Sequence, residues 1–218
     1  MSGDIERAGS QFFGGRVCLD FANTVDWRTS PQPVELIPDY RALLGWSLRR
    51  GTMSRQAIVS LTQRDGHTRA CVAVMAKAFA LRSEIWTICE ALEAGAQLKL
   101  RRLKAMLVMA PRQPPVIRSR GAFVHAFEGR DVVEPLWPVL WSLSAMLTSV
   151  DAQRIGVCHA RGCGWFFVDE SPNHSRLWCS SAICGNRERV RRSYAKRKDP
   201  VLVDTKSRRS NTLTGRRG

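Results

Sequence analysis

Four cysteines toward the C-terminal end, Cys158, Cys163, Cys179 and Cys184, follow the spacing C-x4-C-x15-C-x4-C. Two such pairs can converge on one tetrahedral site of four thiolates. This constrains the fold, because the chain between Cys163 and Cys179 must reverse direction to bring both pairs together. The opening Met1–Arg16 lacks the apolar core of a signal peptide. That predicts an intracellular protein, where thiols stay reduced and paired cysteines hold metal more often than disulfides. Seven cysteines is also an odd number. Cys18, Cys71 and Cys89 lie in apolar surroundings and are expected as small core residues.

Four thiolates with no vacant position suit one structural Zn²⁺ ion. An iron–sulfur cluster also takes four thiolates, and free thiols or two disulfides are the remaining alternatives. His159 and His174 are expected as exposed polar residues, since four cysteines complete the ligand set. Gly162, Gly164 and Gly185 supply backbone freedom for tight loops around a metal.

Between the pairs, Gly164-Trp165-Phe166-Phe167-Val168-Asp169 reads as a strand and Arg176-Leu177-Trp178 as its return into Cys179. The expected order is knuckle, hairpin, second knuckle, helix, an arrangement of treble-clef or zinc-ribbon type. The segment from Gly185 to Lys198 then holds seven Arg/Lys and one acid, Glu188. On a helix, Val190 and Tyr194 share a face and are expected to pack against Trp165 or Trp178. Arg187 aligns with Arg191, and Arg189 with Arg192 and Lys196. The candidate nucleic-acid contacts are Arg176, Asn186, Arg187, Arg189, Arg191, Arg192, Lys196, Arg197 and Lys198, because clustered cations neutralise phosphates.

The charge of the whole chain agrees. Net charge is +15 over 218 residues, and from Asp151 onward fifteen Lys/Arg face six Asp/Glu. Polyanions are the natural partners. Hydrophobic residues at 44% argue against global disorder. The longest apolar-looking run, Leu136–Leu147, is too short to span a bilayer and contains Pro138, so no membrane partner is expected.

The first 150 residues read as mostly helical. Val17–Phe21 is a short strand or a first helical turn, and Arg28–Pro38, with three prolines, reads as a loop. Helices are predicted from Asp39 or Pro38 to Arg50 with Gly51 as a stop, from Thr52 or Ser54 to Asp65-Gly66, and over Arg69–Ala94 with Gly95 as a stop. Further helices are expected over Gln97–Met109 and Glu134–Val150, with a small hairpin of Val116–Arg118 and Ala122–Phe127 turning at Arg120-Gly121. The predicted fold class is mainly α with a small β-hairpin. A helical domain covers residues 1–152, a four-cysteine zinc module 153–198, and a basic, disordered tail 199–218. Asp20, Asn23 and Thr24 could line a ligand pocket; the plainer reading has Asn and Thr capping the first helix and Asp20 pairing with an arginine.

At Cys158-x4-Cys163, Gly164–Asp169, Ser175-Arg176-Leu177-Trp178-Cys179 and Cys184-Gly185-Asn186-Arg187, the chain resembles the CGNR zinc-finger family. Val17-Cys18-Leu19-Asp20-Phe21-Ala22-Asn23-Thr24 resembles the opening motif of ABATE, the helical domain that usually precedes that finger. The resemblance implies a typically bacterial regulator with zinc on the four cysteines and DNA as its partner. The family's Asp-x-Ser-(Arg/Lys)-Asn pattern reads Asp169-Glu170-Ser171-Pro172-Asn173 here, so Pro172 stands where a basic residue is usual.

The expected function is therefore a DNA-binding transcription regulator, cytoplasmic and nucleoid-associated when bound to DNA. Its helical domain would dimerise, sense a small-molecule effector or touch RNA polymerase. An RNA-binding protein that stacks bases on Trp165, Phe166, Trp178 and Tyr194 is the alternative. No phosphate loop, nucleophile elbow or open metal site is present in the sequence, so an enzyme is not expected.

Overall fold

The computed structural model describes residues 12–64, 69–110, 116–119, 122–125 and 127–198. The expected helix stop at 65–66, the prolines at 111, 114 and 115, the turn at 120–121 and the tail 199–218 lie outside them.

Helix α1, Val17–Ala22, is only six residues long, and five of them are buried. So short a helix cannot hold itself together in water. Its neighbours hold it instead. Cys18 donates its backbone N–H to Ser142 Oγ (3.1 Å), and the Ala22 carbonyl accepts from Trp86 Nε1 (2.8 Å). Between strands β1, Val25–Asp26, and β2, Val34–Glu35, the chain makes one short antiparallel pairing.

Helix α2, Tyr40–Arg50, starts where Asp39 accepts from Ala42 N–H and stops at Gly51, whose φ of 74° is left-handed. Both ends follow the capping chemistry read from the sequence. Ser54 accepts from Ala57 N–H at the head of α3, Arg55–Arg64. The long helix α4, Arg69–Glu93, and then α5, Arg101–Met109, complete the middle of the chain. The α5 segment begins four residues later than the sequence pattern suggests. The hairpin of β3, Val116–Ser119, and β4, Ala122–His125, pairs Val116 with His125 and Ser119 with Ala122. Helix α6, Trp137–Leu147, is preceded by a 3₁₀ turn, Glu134–Leu136. Pro138 accounts for the late α start, because its ring is tolerated only in a first helical turn.

α1 sits at the centre, packed against α6, α4 and the later strand β6, Phe166–Val168. Phe21, Leu43, Leu61, Ile85, Leu143 and Met146 form part of a core that excludes water almost completely. Cys18, Cys71 and Cys89 are buried there, as expected. Burial pushes the Cys18 thiol up to about 12, so it stays protonated and inert.

After α6 a 3₁₀ turn, Val150–Arg154, runs directly into β5, Ile155–Val157. β5 pairs antiparallel with β6, Ile155 opposite Val168 and Val157 opposite Phe166. The hairpin partner of Phe166–Val168 therefore lies before the first cysteine pair. Arg176–Trp178, read as the return strand, is irregular and gives only one backbone bond, from His159 N–H to the Leu177 carbonyl (3.0 Å). The reason is local: Asp169 accepts from Ser171 N–H, Ser171 Oγ and Arg176 N–H, which curls this stretch into a compact turn.

Strand alternation gives β6 two duties. Phe166 and Val168 face the helical core, while Trp165 and Phe167 face the cluster around the cysteines. One short strand is thus shared by both hydrophobic centres.

Candidate metal centre and nucleic-acid interface

Cys158 and Cys163 sit at the tip of the β5–β6 hairpin. Cys179 and Cys184 flank and enter a π-helical turn, Ser181–Gly185, that leads into helix α7, Asn186–Lys198. One ligand pair sits on a hairpin tip and one at a helix start, whereas the sequence placed the hairpin between the two pairs. The four sulfurs lie within 4.8 Å of one another and all four residues are buried. Cys163 and Cys179 Sγ are 3.8 Å apart, Cys163 and Cys184 3.8 Å, and Cys179 and Cys184 3.5 Å. Tetrahedral zinc–sulfur bonds of about 2.3 Å put sulfurs about 3.8 Å from each other. The spacing is far beyond the roughly 2.05 Å of a disulfide, and it leaves room for one ion rather than a cluster. The donor set and its geometry fit a single structural Zn²⁺.

The residues around the sulfurs fix this geometry. Gly164 has φ +65°, and a Cβ there would stand 2.4 Å from Thr29 Cγ2. Gly162 is also left-handed, at +80°. Gly185 is needed for a different reason than a left-handed φ: it lies in the π-helical turn, and a Cβ would press on the Trp178 ring at 3.0 Å. Arg176 is the internal tie of the module. Its guanidinium donates to the carbonyls of Trp178 (3.0 Å), Val168 (3.2 Å), Phe13 (3.1 Å) and Cys179, and lies 4.2 Å over the Phe167 ring.

The module is clasped by the turn after β1, which the prolines mark in the sequence only as loop. Thr29 N–H donates to the Gly162 carbonyl, and Arg28 Nε to the Gly164 carbonyl (2.9 Å). Arg28 also pairs with Glu90 (2.7 Å) and covers the Phe166 ring at 4.5 Å. Trp165 Nε1 donates to the Val25 carbonyl (2.8 Å). Trp27, a non-glycine residue at φ 53°, carries the Arg187 guanidinium 4.2 Å above its ring. Arg187 in turn donates to Cys184 Sγ (3.4 Å). Burial raises the neighbouring Asp26 carboxyl, while the Trp27 N–H and the Arg187 charge pull it down.

The predicted nucleic-acid residues divide accordingly. Arg176 and Arg187 are turned into the protein. Arg191 pairs with Glu188 (2.8 Å), whose buried carboxylate also accepts from Arg161 N–H (3.1 Å). The Arg191 bond holds the Glu188 carboxyl below its ordinary value. Asn186, Arg189, Arg192 and Arg197 are exposed, and no acid pairs with those three arginines among the described residues. The side chains of Lys196 and Lys198 lie outside the described ones. Val190 and Tyr194 do not pack against Trp165 or Trp178. They are 46% and 63% exposed, because the helix leaves the body of the protein after its first turn. His159 and His174 are exposed, as expected.

Asp20, Asn23 and Thr24 do line one cleft, together with Phe12, Phe13, Ile37, Trp46 and Trp165. The polar groups of these three residues are already bonded. Asp20 accepts from Gly14 N–H (2.8 Å) and pairs with Arg50 (2.7 Å). Thr24 donates to the Phe21 carbonyl (2.7 Å) and accepts from Arg82 (2.8 Å), which also forks onto Glu35. Asn23 donates to the Phe166 carbonyl (2.8 Å) and accepts from its N–H (2.9 Å). That amide stands in for a missing strand beside β6. Asn23→Ala leaves both buried backbone groups of Phe166 unpaired, at about 1–3 kcal/mol each. The expected loss of about 2–6 kcal/mol is read from denaturant unfolding; an unchanged midpoint would remove Asn23 from this role.

Comparison with known protein families supplies the lineage. The ABATE family model, described as "Putative stress-induced transcription regulator", matches residues 15–150, and the CGNR zinc finger matches residues 154–197. No match was found among curated proteins. The chain belongs to the ABATE family and carries a CGNR zinc finger over residues 154–197.

Proposed function

We propose that this protein is a DNA-binding transcription regulator in which the zinc module presents helix α7 to the duplex and no step is catalytic. The observation that carries the reading is the anchoring of α7. Its first turn is fixed by Cys184, by Arg187 on Trp27 and by the buried Glu188, while Arg189, Arg192 and Arg197 project outward without acidic partners among the described residues. Fixed cations on a rigid element are suited to phosphates at a set register. The helical domain would then dimerise, bind a small effector or touch RNA polymerase. Among the described residues no helix is long and apolar enough to cross a membrane, and the reading assigns the protein to the cytoplasm and nucleoid. The RNA-binding alternative has less support, since Trp165 and Phe166 are buried and Tyr194 alone is a well-exposed ring among the four aromatics.

Binding to duplex DNA, single strands and structured RNA at matched salt tests the reading. Duplex DNA is expected to bind tightest. Each phosphate contact contributes roughly 0.9 to the slope of log affinity on log salt. The double variant Arg189→Ala/Arg192→Ala should therefore weaken binding and flatten the slope by about 2. Tighter binding to RNA, or unchanged affinity in the double variant, would overturn it.

A further inference from the structure

We infer that Val190 and Tyr194, flanked by Asn186 and Arg197, form the base-reading stripe of α7, with the two apolar side chains seated against thymine methyl groups in the major groove of duplex DNA. The inference rests on the DNA-binding reading above and adds which face of the helix enters the groove.

At about 100° per residue, α7 divides into three sectors. Glu188, Arg187 and Arg191 lie toward the body of the protein: Glu188 is buried on Arg161 N–H, Arg187 lies on Trp27, and Arg191 closes onto Glu188. Arg189 and Arg192 occupy a second sector and are exposed without acidic partners among the described residues. The third sector holds Asn186, Val190, Tyr194 and Arg197, all exposed. Val190 and Tyr194 stand one turn apart on the same side of a helix otherwise almost wholly polar. A helix used only as a solvated cationic rod has no need of them.

The composition of the third sector matches the edges of base pairs. Asn bonds adenine and Arg bonds guanine through paired hydrogen bonds, and apolar side chains meet the thymine C5-methyl. A helix of about 10–12 Å diameter fits the roughly 12 Å major groove of B-DNA. It does not fit the deep, narrow major groove of A-form RNA. Charge decides between the remaining occupants. Seven Arg/Lys against one acid over Gly185–Lys198 would repel the same helix of a second copy, whereas they complement phosphates on both walls of the groove. Two apolar residues are too few to bury a helix face in a bilayer surface.

The test uses the full zinc-loaded chain and a library of random-sequence DNA duplexes. Wild type should enrich a motif containing thymine. Replacing that thymine by deoxyuridine removes one methyl group and should weaken wild-type binding roughly fourfold. Val190→Ala or Tyr194→Ala should weaken motif binding by a similar factor, lose sensitivity to the deoxyuridine exchange, and leave random-duplex affinity and salt slope unchanged. Both side chains are exposed, so zinc content and circular dichroism should match wild type. If both variants keep the motif and the deoxyuridine response while Arg189→Ala/Arg192→Ala still loses affinity, the base-reading stripe is wrong and the DNA-binding reading stands. If no duplex is enriched and RNA or anionic vesicles are held instead, both fall.

Discussion

Cys184→Ser is expected to lose its zinc and to unfold the helical domain along with the C-terminal module. A structural zinc contributes about 10–16 kcal/mol of apparent folding free energy in small zinc-finger peptides. Whole domains are stable by only about 5–15 kcal/mol. Without the ion, three buried thiols and a serine hydroxyl crowd together and the hairpin tip loses its register against α7. The loss then passes through β6. Phe166 and Val168 belong to the helical core, and vacating a buried Phe site alone costs about 3–5 kcal/mol. Arg187 also loses its sulfur acceptor beside Trp27. The measurements are metal content, circular dichroism and calorimetry, with chelator-treated wild type alongside. A single transition at much lower temperature is expected in both samples. One retained zinc with native dichroism would refute the assignment, and an untouched helical transition would refute the coupling.

Arg176→Ala should also destabilise the protein clearly, although the residue carries one of the charges that the sequence assigns to nucleic-acid contact. Four carbonyls from three stretches of chain converge on its guanidinium. Charge-assisted hydrogen bonds contribute about 1.5–3 kcal/mol each, and acceptors left unpaired add to the loss. Because the four are not independent, a destabilisation of about 3 kcal/mol or more is the expected result. For a protein of this size that lowers the thermal midpoint by roughly 6–12 °C. Lysine should not rescue it, since an ammonium cannot reproduce the planar fork. A variant with an unchanged midpoint and weaker DNA binding would return Arg176 to the interface.

The elements with strong local signals were legible in the sequence. Asp39 and Gly51 mark α2 at both ends, the apolar period marks α4, and the cysteine spacing marks the metal centre and its donors. What escaped sequence reading depends on contacts between distant residues. No local pattern says that β6 pairs with the segment before Cys158 rather than with Arg176–Trp178, because both flanks are short and β-compatible. The clasp of Trp27, Arg28 and Thr29 lies in a proline-rich loop, and its function appears only once Gly162 and Gly164 are beside it. Arginine is the hardest residue to read from sequence. Arg176, Arg187 and Arg189 look alike along the chain, yet the first ties carbonyls together, the second covers a tryptophan and the third points to solvent. The candidate pocket residues Asp20, Asn23 and Thr24 were legible as polar groups beside a short helix. Their partners Arg50, Phe166 and Arg82 lie 30 to 143 positions away.

The alternation of side chains along Phe166–Val168 bears on how such a protein can be cut or recombined. A finger excised near residue 152 would carry Phe166 and Val168 outward as a sticky apolar face, and the remaining helices would present a matching hollow. Neither fragment would be a finished object. Swapping in a CGNR finger from another chain would succeed only if its strand brought side chains of the same size to those two positions, together with a backbone placed for the Asn23 amide. The CGNR finger of this chain is less a transplantable cassette than the last layer of the domain that precedes it.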